Sequence, residues 1–67
     1  MKIKIANFLA KANATLSMSE GRRLISMGAV RVNGEEKTDT EEIEIEVGDV
    51  IQIGKRRTFV VRKEMLL

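Results

Sequence analysis

The stretch SMSEGRRLISMGAVRVNG, residues 17–34, contains both of the repeat periods from which the fold is read. Ser17 to Glu20 has the S-x-x-E spacing of a capping box, in which the serine hydroxyl accepts from the Glu20 N–H and the glutamate reaches back to Ser17. A helix is predicted from there to Met27, stopping at Gly28, a residue suited to the left-handed position that follows a helix. At about 100° per residue, Met18, Gly21, Leu24, Ile25 and Gly28 share one side, while Ser19, Arg23 and Ser26 face away. Arg22 falls at the edge of the apolar stripe. Leu16 and Gly21 sit where a hydrophobic staple would close, but glycine offers no side chain to close it. After Gly28 the period changes to two. Ala29 to Val32 reads as a strand, Asn33-Gly34 suits the two positive φ values of a type I′ turn, and the chain returns through Glu35 to Thr38.

Outward from this stretch the pattern continues in short elements. Residues 3 to 13 place Ile5, Phe8, Leu9 and Ala12 at helical spacing, so a first helix is expected there, followed by a link over Asn13 to Leu16. Residues 43 to 47 alternate strictly, which predicts a strand with Ile43, Ile45 and Val47 inward and carboxylates outward. Gly48-Asp49 then turns the chain, Val50 to Ile53 forms the next strand, Gly54 to Arg57 a basic turn, and Thr58 to Arg62 the last strand. The expected core is Leu24, Ile25, Val30, Val32, Ile43, Ile45, Val50, Ile51, Ile53, Phe59 and Val61. The fold class is therefore α+β: two N-terminal helices on a small, mostly antiparallel sheet, in one domain spanning 1–67.

Composition narrows the chemistry. With 67 residues, no cysteine and no histidine, neither a disulfide framework nor the usual zinc ligands staple the fold, and stability must come from apolar packing. The lack of cysteine suits a reducing compartment, and the basic N-terminal run is interrupted by Asn7 and Lys11 well short of a membrane-spanning length, so a cytoplasmic location is expected. Without His, Cys, Tyr or Trp, no clustering of Ser, Lys and carboxylates supports nucleophilic or acid/base work; no catalytic residue, cofactor, small-molecule substrate or metal site is assigned. The two phenylalanines, Phe8 and Phe59, are too few for a base-stacking platform.

Charge is segregated along the chain. Residues 35–49 hold Glu35, Glu36, Asp39, Glu41, Glu42, Glu44, Glu46 and Asp49 against Lys37, a net of −7, whereas the remainder holds eleven Lys or Arg against Glu20 and Glu64, a net of +9, consistent with the overall +2. A basic body with an acidic arm is the footprint of a surface that meets polyanions on one face. The carboxylates alternate along a strand and so spread instead of converging, which favours a solvated face over a magnesium or calcium site.

The order of S-x-S-E-x-R-R-L-I-x-x-G, then A-V-x-V-N-G, then G-D-V-I fourteen residues after Asn-Gly, resembles the S-four RNA-binding domain over nearly the whole chain, from about Ile5 to Arg62. The ending G-D-V-I-Q-I-G-K-R-R-T-F-V-V-R is most similar to the C-terminal domain of bacterial tyrosyl-tRNA synthetases. That resemblance implies a non-catalytic module that holds tRNA, including its long variable arm, for a separate catalytic domain of the same full-length chain. A free-standing ribosome-associated relative that binds rRNA or a tRNA-subunit complex is the alternative. Two departures stand out. Gly21 occupies a position where the family usually has alanine, and Asn13-Ala14 stands where it often has a glycine-leucine pair.

The resemblance places RNA-facing basic residues on the second helix, which makes Arg22 and Arg23 the leading candidates; the competing reading is a solvated pair bonded to Glu20 or to the acidic arm. Arg31 either extends the patch or is simply an exposed strand residue. Lys55, Arg56 and Arg57 form a basic hairpin tip free to approach a phosphate backbone. Ser19, Ser26 and Lys11 are secondary candidates. A third possibility, from another class, is a protein-interaction module that uses the acidic strand edge to bind a basic partner.

Overall fold

The computed structural model describes residues 1–38 and 42–67; Asp39, Thr40 and Glu41, including two of the acidic arm's carboxylates, lie outside the described residues. The chain begins with a strand, β1 (Lys2–Lys4), before α1 (Ile5–Lys11) and α2 (Met18–Ser26). Then come β2 (Val30–Val32), β3 (Glu35–Lys37), β4 (Glu42–Glu44), β5 (Val50–Ile53) and β6 (Arg57–Val60), with a 3-10 turn over Lys63–Leu66. Four strands form one antiparallel sheet in the order β3-β2-β5-β6, and β1 pairs antiparallel with β4 as a separate ribbon.

The strand at Lys2–Lys4 corrects the expectation of a helix from residue 3. Lys-Ile-Lys has period two, and its register with β4 sets Lys2 against Glu44, Ile3 against Ile43 and Lys4 against Glu42. Each lysine is registered opposite a glutamate and the isoleucines opposite each other, while the Glu44 carboxylate itself pairs with the Met1 ammonium at 2.6 Å, a complementarity visible only once the distant partner is known. The helix proper starts at Ile5, with Ile5, Phe8 and Leu9 fully buried as their spacing predicts.

Both helices end in the same device. The N–H of Ala14 reaches the carbonyl of Leu9 and that of Asn13 the carbonyl of Ala10, while the N–H of Ala29 reaches Leu24 and that of Gly28 reaches Ile25. These are paired Schellman closures, and the residue at the left-handed position is Asn13 (φ 58°) in one and Gly28 (φ 73°) in the other. Asparagine is the side chain that best tolerates this region after glycine, which explains how Asn13 replaces the glycine of the family pattern. At the start of α2, the Ser17 hydroxyl accepts from the Glu20 N–H at 3.2 Å, the serine half of the expected capping box.

Helices α1 and α2 pack closely where Gly21 faces Ala6; a Cβ on Gly21 would lie 3.5 Å from the Ala6 Cα and 3.6 Å from its Cβ. Ile25 enters the shared core with Val30, Val32, Ile45, Ile51, Ile53 and Val61, while Leu24, Ile43 and Phe59 pack half-buried against it. Two residues expected inside lie outside. Val50 is directly adjacent to buried Ile51, so strand alternation turns it to the outer face opposite Val60. Val47 is 60% exposed because the strand ends at Glu44 and the chain has entered the turn before Gly48.

The Asn-Gly turn forms as expected, with φ of 52° at Asn33 and 83° at Gly34. Asn33 also binds the distant Gly-Asp turn. Its Oδ1 accepts from the Val50 N–H at 2.9 Å, its Nδ2 donates to Asp49 Oδ1 at 3.1 Å, and its own N–H donates to the Val50 carbonyl at 2.7 Å. Asp49 Oδ2 in turn accepts from the Glu46 N–H at 2.9 Å. The fourteen-residue spacing between the two motifs is thus a structural clamp that joins β2 to the entry of β5.

Candidate nucleic-acid interface

The second helix exposes Arg23, as the projection predicts, and also Arg22, expected at the edge of the apolar stripe, with Ser19 exposed on the same helix. Ser26 is also exposed, but its hydroxyl donates back to the Arg23 carbonyl at 2.8 Å and is committed to its own helix. Lys11 ends α1, exposed, immediately before the link to α2.

The basic hairpin tip joins this region through one bond. Arg57 is the first residue of β6, and its Nη2 donates to the Ala14 carbonyl in the link at 2.5 Å. One of the three tip cations is therefore a structural tie, and it holds Lys55 and Arg56 next to the α1–α2 link. The sequence does not signal this, because the acceptor is a backbone carbonyl and leaves no trace in residue type. The tie fixes Arg57 against the link, which begins after Lys11 and leads into the helix bearing Arg22 and Arg23; Lys55 and Arg56 precede Arg57 in the tip.

Arg31 belongs to a different neighbourhood. It points to the face of the sheet opposite buried Val30 and Val32, and the register sets it between Glu36 on β3 and Gln52 on β5. A glutamate is registered across the strand, although the two side chains make no salt bridge. The fold therefore does not gather Arg31 with the link and tip residues.

The ion pairs sharpen the contrast. Lys37 pairs with Glu35 at 3.0 Å and Arg62 with Glu64 at 3.3 Å. Among the described residues, Lys11, Arg22, Arg23, Lys55, Arg56 and Arg57 make no salt bridge, so Glu20 and the described acidic side chains do not occupy the helix arginines. Apart from the Arg57 Nη2 bond to Ala14, these guanidinium and ammonium groups leave their donors for an external anion. The described residues also contain no group of three or more His, Cys, Asp or Glu side chains placed to hold a metal ion, and no helix among them is long and apolar enough to cross a membrane.

Residues 3–51 match the S4 domain family model. The chain belongs to the S4 domain family. Its sequence is 46% identical over 57 residues to tyrosine-tRNA ligase 2 of Pseudoalteromonas translucida, covering 82% of this chain and 14% of that protein. It is 40% identical over 57 residues to tyrosine-tRNA ligase of Moorella thermoacetica, covering 84% of this chain and 14% of the ligase. The chain thus spans about a seventh of the length of these relatives. In fold it is similar to heat shock protein 15 of Vibrio cholerae, with a TM-score of 0.68 at 18% identity over 90% of this chain and 60% of that one. The S4 membership accounts for the linked motifs: the capped helix, the Asn-Gly turn and the Gly-Asp turn are the parts that the clamp and the helix packing hold in register.

Proposed function

We propose that this chain is a non-catalytic module that grips structured RNA through its phosphates, with tRNA as the RNA and a tyrosine-tRNA ligase as the setting. The observation that carries this reading is the set of six cations on α1, α2 and the β5–β6 tip, none in a salt bridge among the described residues, in a chain of the S4 family. Arg22 and Arg23 lead the contact, because a guanidinium fork donates two parallel bonds to a phosphate. Lys55 and Arg56 add point charges from the tip, and Arg57 holds the tip in place while its remaining donors face outward. Lys11 and Ser19 lie at the margin. Phosphate contacts fix register and carry little sequence information, so discrimination comes from RNA shape and from whatever domain accompanies this one.

The test is a fluorescence titration with a tRNA that has a long variable arm, a matched tRNA without it, and an rRNA stem, each at two salt concentrations. Preference for the long arm, with affinity that falls as salt rises, is the expected result. Equal or tighter binding to the rRNA stem moves the assignment to a ribosome-associated role. No salt-sensitive binding to any of the three overturns the RNA reading in favour of a protein partner, which charge reversal at Arg22 and Arg23 would leave bound.

A further inference from the structure

Leu16 is 95% exposed, although it lies in one of the most constrained parts of the backbone. Ahead of it, Asn13 and Ala14 close the Schellman motif, and the Ala14 carbonyl is held by Arg57. Beside it, Thr15 is buried and its hydroxyl donates to the Ser17 carbonyl at 3.0 Å. Behind it, Ser17 caps α2. An exposed leucine on a frayed segment needs no explanation, but here both flanks are fixed and the side chain is held outward. Gly21 at the staple position leaves nothing within the fold to cover it.

We propose that Leu16 contacts the face of an unpaired nucleobase. This inference rests on the RNA reading above and adds a residue that acts on the base instead of the phosphate. Its surroundings select the partner. The link begins after Lys11, leads into the helix bearing Arg22 and Arg23, and has its Ala14 carbonyl held by Arg57 of the basic tip, so the leucine lies on a segment flanked and tied by cations. A polyanion with apolar faces satisfies both properties, and RNA is such a polymer. The chain has no exposed aromatic ring to stack on a base, since Phe8 is buried and Phe59 half-buried, so a fixed aliphatic side chain is the apolar contact it can offer. Within an A-form duplex the base faces are stacked away and the major groove is too deep and narrow for side chains, so the contact requires a nucleotide at a bulge, a loop or a strand end.

The experiment compares the wild-type chain with Leu16→Ala and Leu16→Phe on two RNAs: a continuous, flush-ended hairpin whose loop is replaced by a non-nucleotide linker, and the same hairpin carrying one bulged 2-aminopurine nucleotide. Thermal melts by circular dichroism establish that both variants fold as the wild type does. The expected result is that Leu16→Ala weakens binding to the bulged RNA by roughly fivefold to tenfold and leaves the continuous hairpin within about twofold. The slope of affinity against salt stays unchanged, since no phosphate contact is lost. Leu16→Phe should bind the bulged RNA at least as tightly as wild type and change the 2-aminopurine fluorescence. Equal effects of Leu16→Ala on the two RNAs, or none on either, overturn the proposal while leaving phosphate gripping intact. Failure of the wild type to bind either RNA overturns the RNA reading itself, and this inference with it.

Discussion

Two regions of the molecule treat charge in opposite ways. At the β1–β4 ribbon, Lys2 and Lys4 lie across from Glu44 and Glu42, and on the neighbouring sheet Arg31 lies across from Glu36. On α1, α2 and the β5–β6 tip, Lys11, Arg22, Arg23, Lys55, Arg56 and Arg57 have no carboxylate registered opposite them and no salt bridge among the described residues. The charge segregation along the sequence is thus partly undone in space. The acidic segment folds against the basic N-terminal strand and the β2–β3 hairpin, and the cations it does not meet are the ones available to an external polyanion.

The strongest way to break this comparison is to reverse charge in each region. Arg22→Glu with Arg23→Glu should lower affinity for tRNA by roughly a hundredfold at low salt and flatten the salt dependence, because two phosphate contacts become repulsions. Both side chains are exposed on α2, so the melting temperature should change little. Lys2→Glu with Lys4→Glu should do the reverse. It sets like charges opposite each other across β1 and β4 and costs about 1 kcal/mol of stability, while affinity stays within roughly threefold of wild type. If the ribbon variant loses binding as severely as the helix variant, the distinction between cations registered opposite carboxylates and those that are not is wrong.

Next in size is the clamp that positions the strands between these regions. Asn33→Ala removes the acceptor for the Val50 N–H and the donor to Asp49, and places a less tolerant residue at a φ of 52°. A loss of about 2 kcal/mol in a urea melt is expected. Asn33→Gly, which fits the left-handed backbone but lacks the amide, should recover part of that loss and so separate strain from hydrogen bonding. Close behind comes Arg57. Arg57→Met keeps the stem but not the donor and should cost about 1.5 kcal/mol, because it leaves the partly buried Ala14 carbonyl without its charged partner. RNA affinity should fall more than a single lost charge predicts, since Lys55 and Arg56 are then no longer held beside the link.

How much of this was legible follows from where each signal resides. The capped helix, the Gly28 stop and the Asn-Gly hairpin were readable because each depends on residues within four positions of one another. Strand β1 was not, since Lys-Ile-Lys before Ile5 fits the start of an amphipathic helix as well as a strand, and only the Glu42–Glu44 partner some forty residues away decides between them. Val50 was misplaced because an apolar run, Val50-Ile51, hides the alternation that puts only one of the two inside. Among the candidate residues, the exposure of Arg23 was legible from helical phase, and Arg22, expected at the edge of the apolar stripe, is exposed as well. The structural duty of Arg57 was not, because its partner is a carbonyl, and neither was the register of Arg31 opposite Glu36, because strand register is a property of two segments.

The smallest predicted effect concerns the helix contact itself. Gly21 lies in the middle of α2, where glycine costs about 1 kcal/mol relative to alanine through the freedom it loses on folding. Whether alanine can recover that depends on space. The nearest atoms to an added Cβ are the Ala6 Cα and carbonyl oxygen, both at 3.5 Å, which is ordinary van der Waals contact. A methyl group there fills the helix crossing without pushing α1 away. Gly21→Ala should therefore stabilise the fold by about 0.5–1 kcal/mol and raise the melting temperature by several degrees. RNA affinity should remain unchanged, since the position is buried on the face of α2 turned away from Arg23. Destabilisation would mean that α1 and α2 approach more closely than this geometry gives. A gain in affinity would mean that the orientation of α2, and not only its charge, limits the grip on RNA.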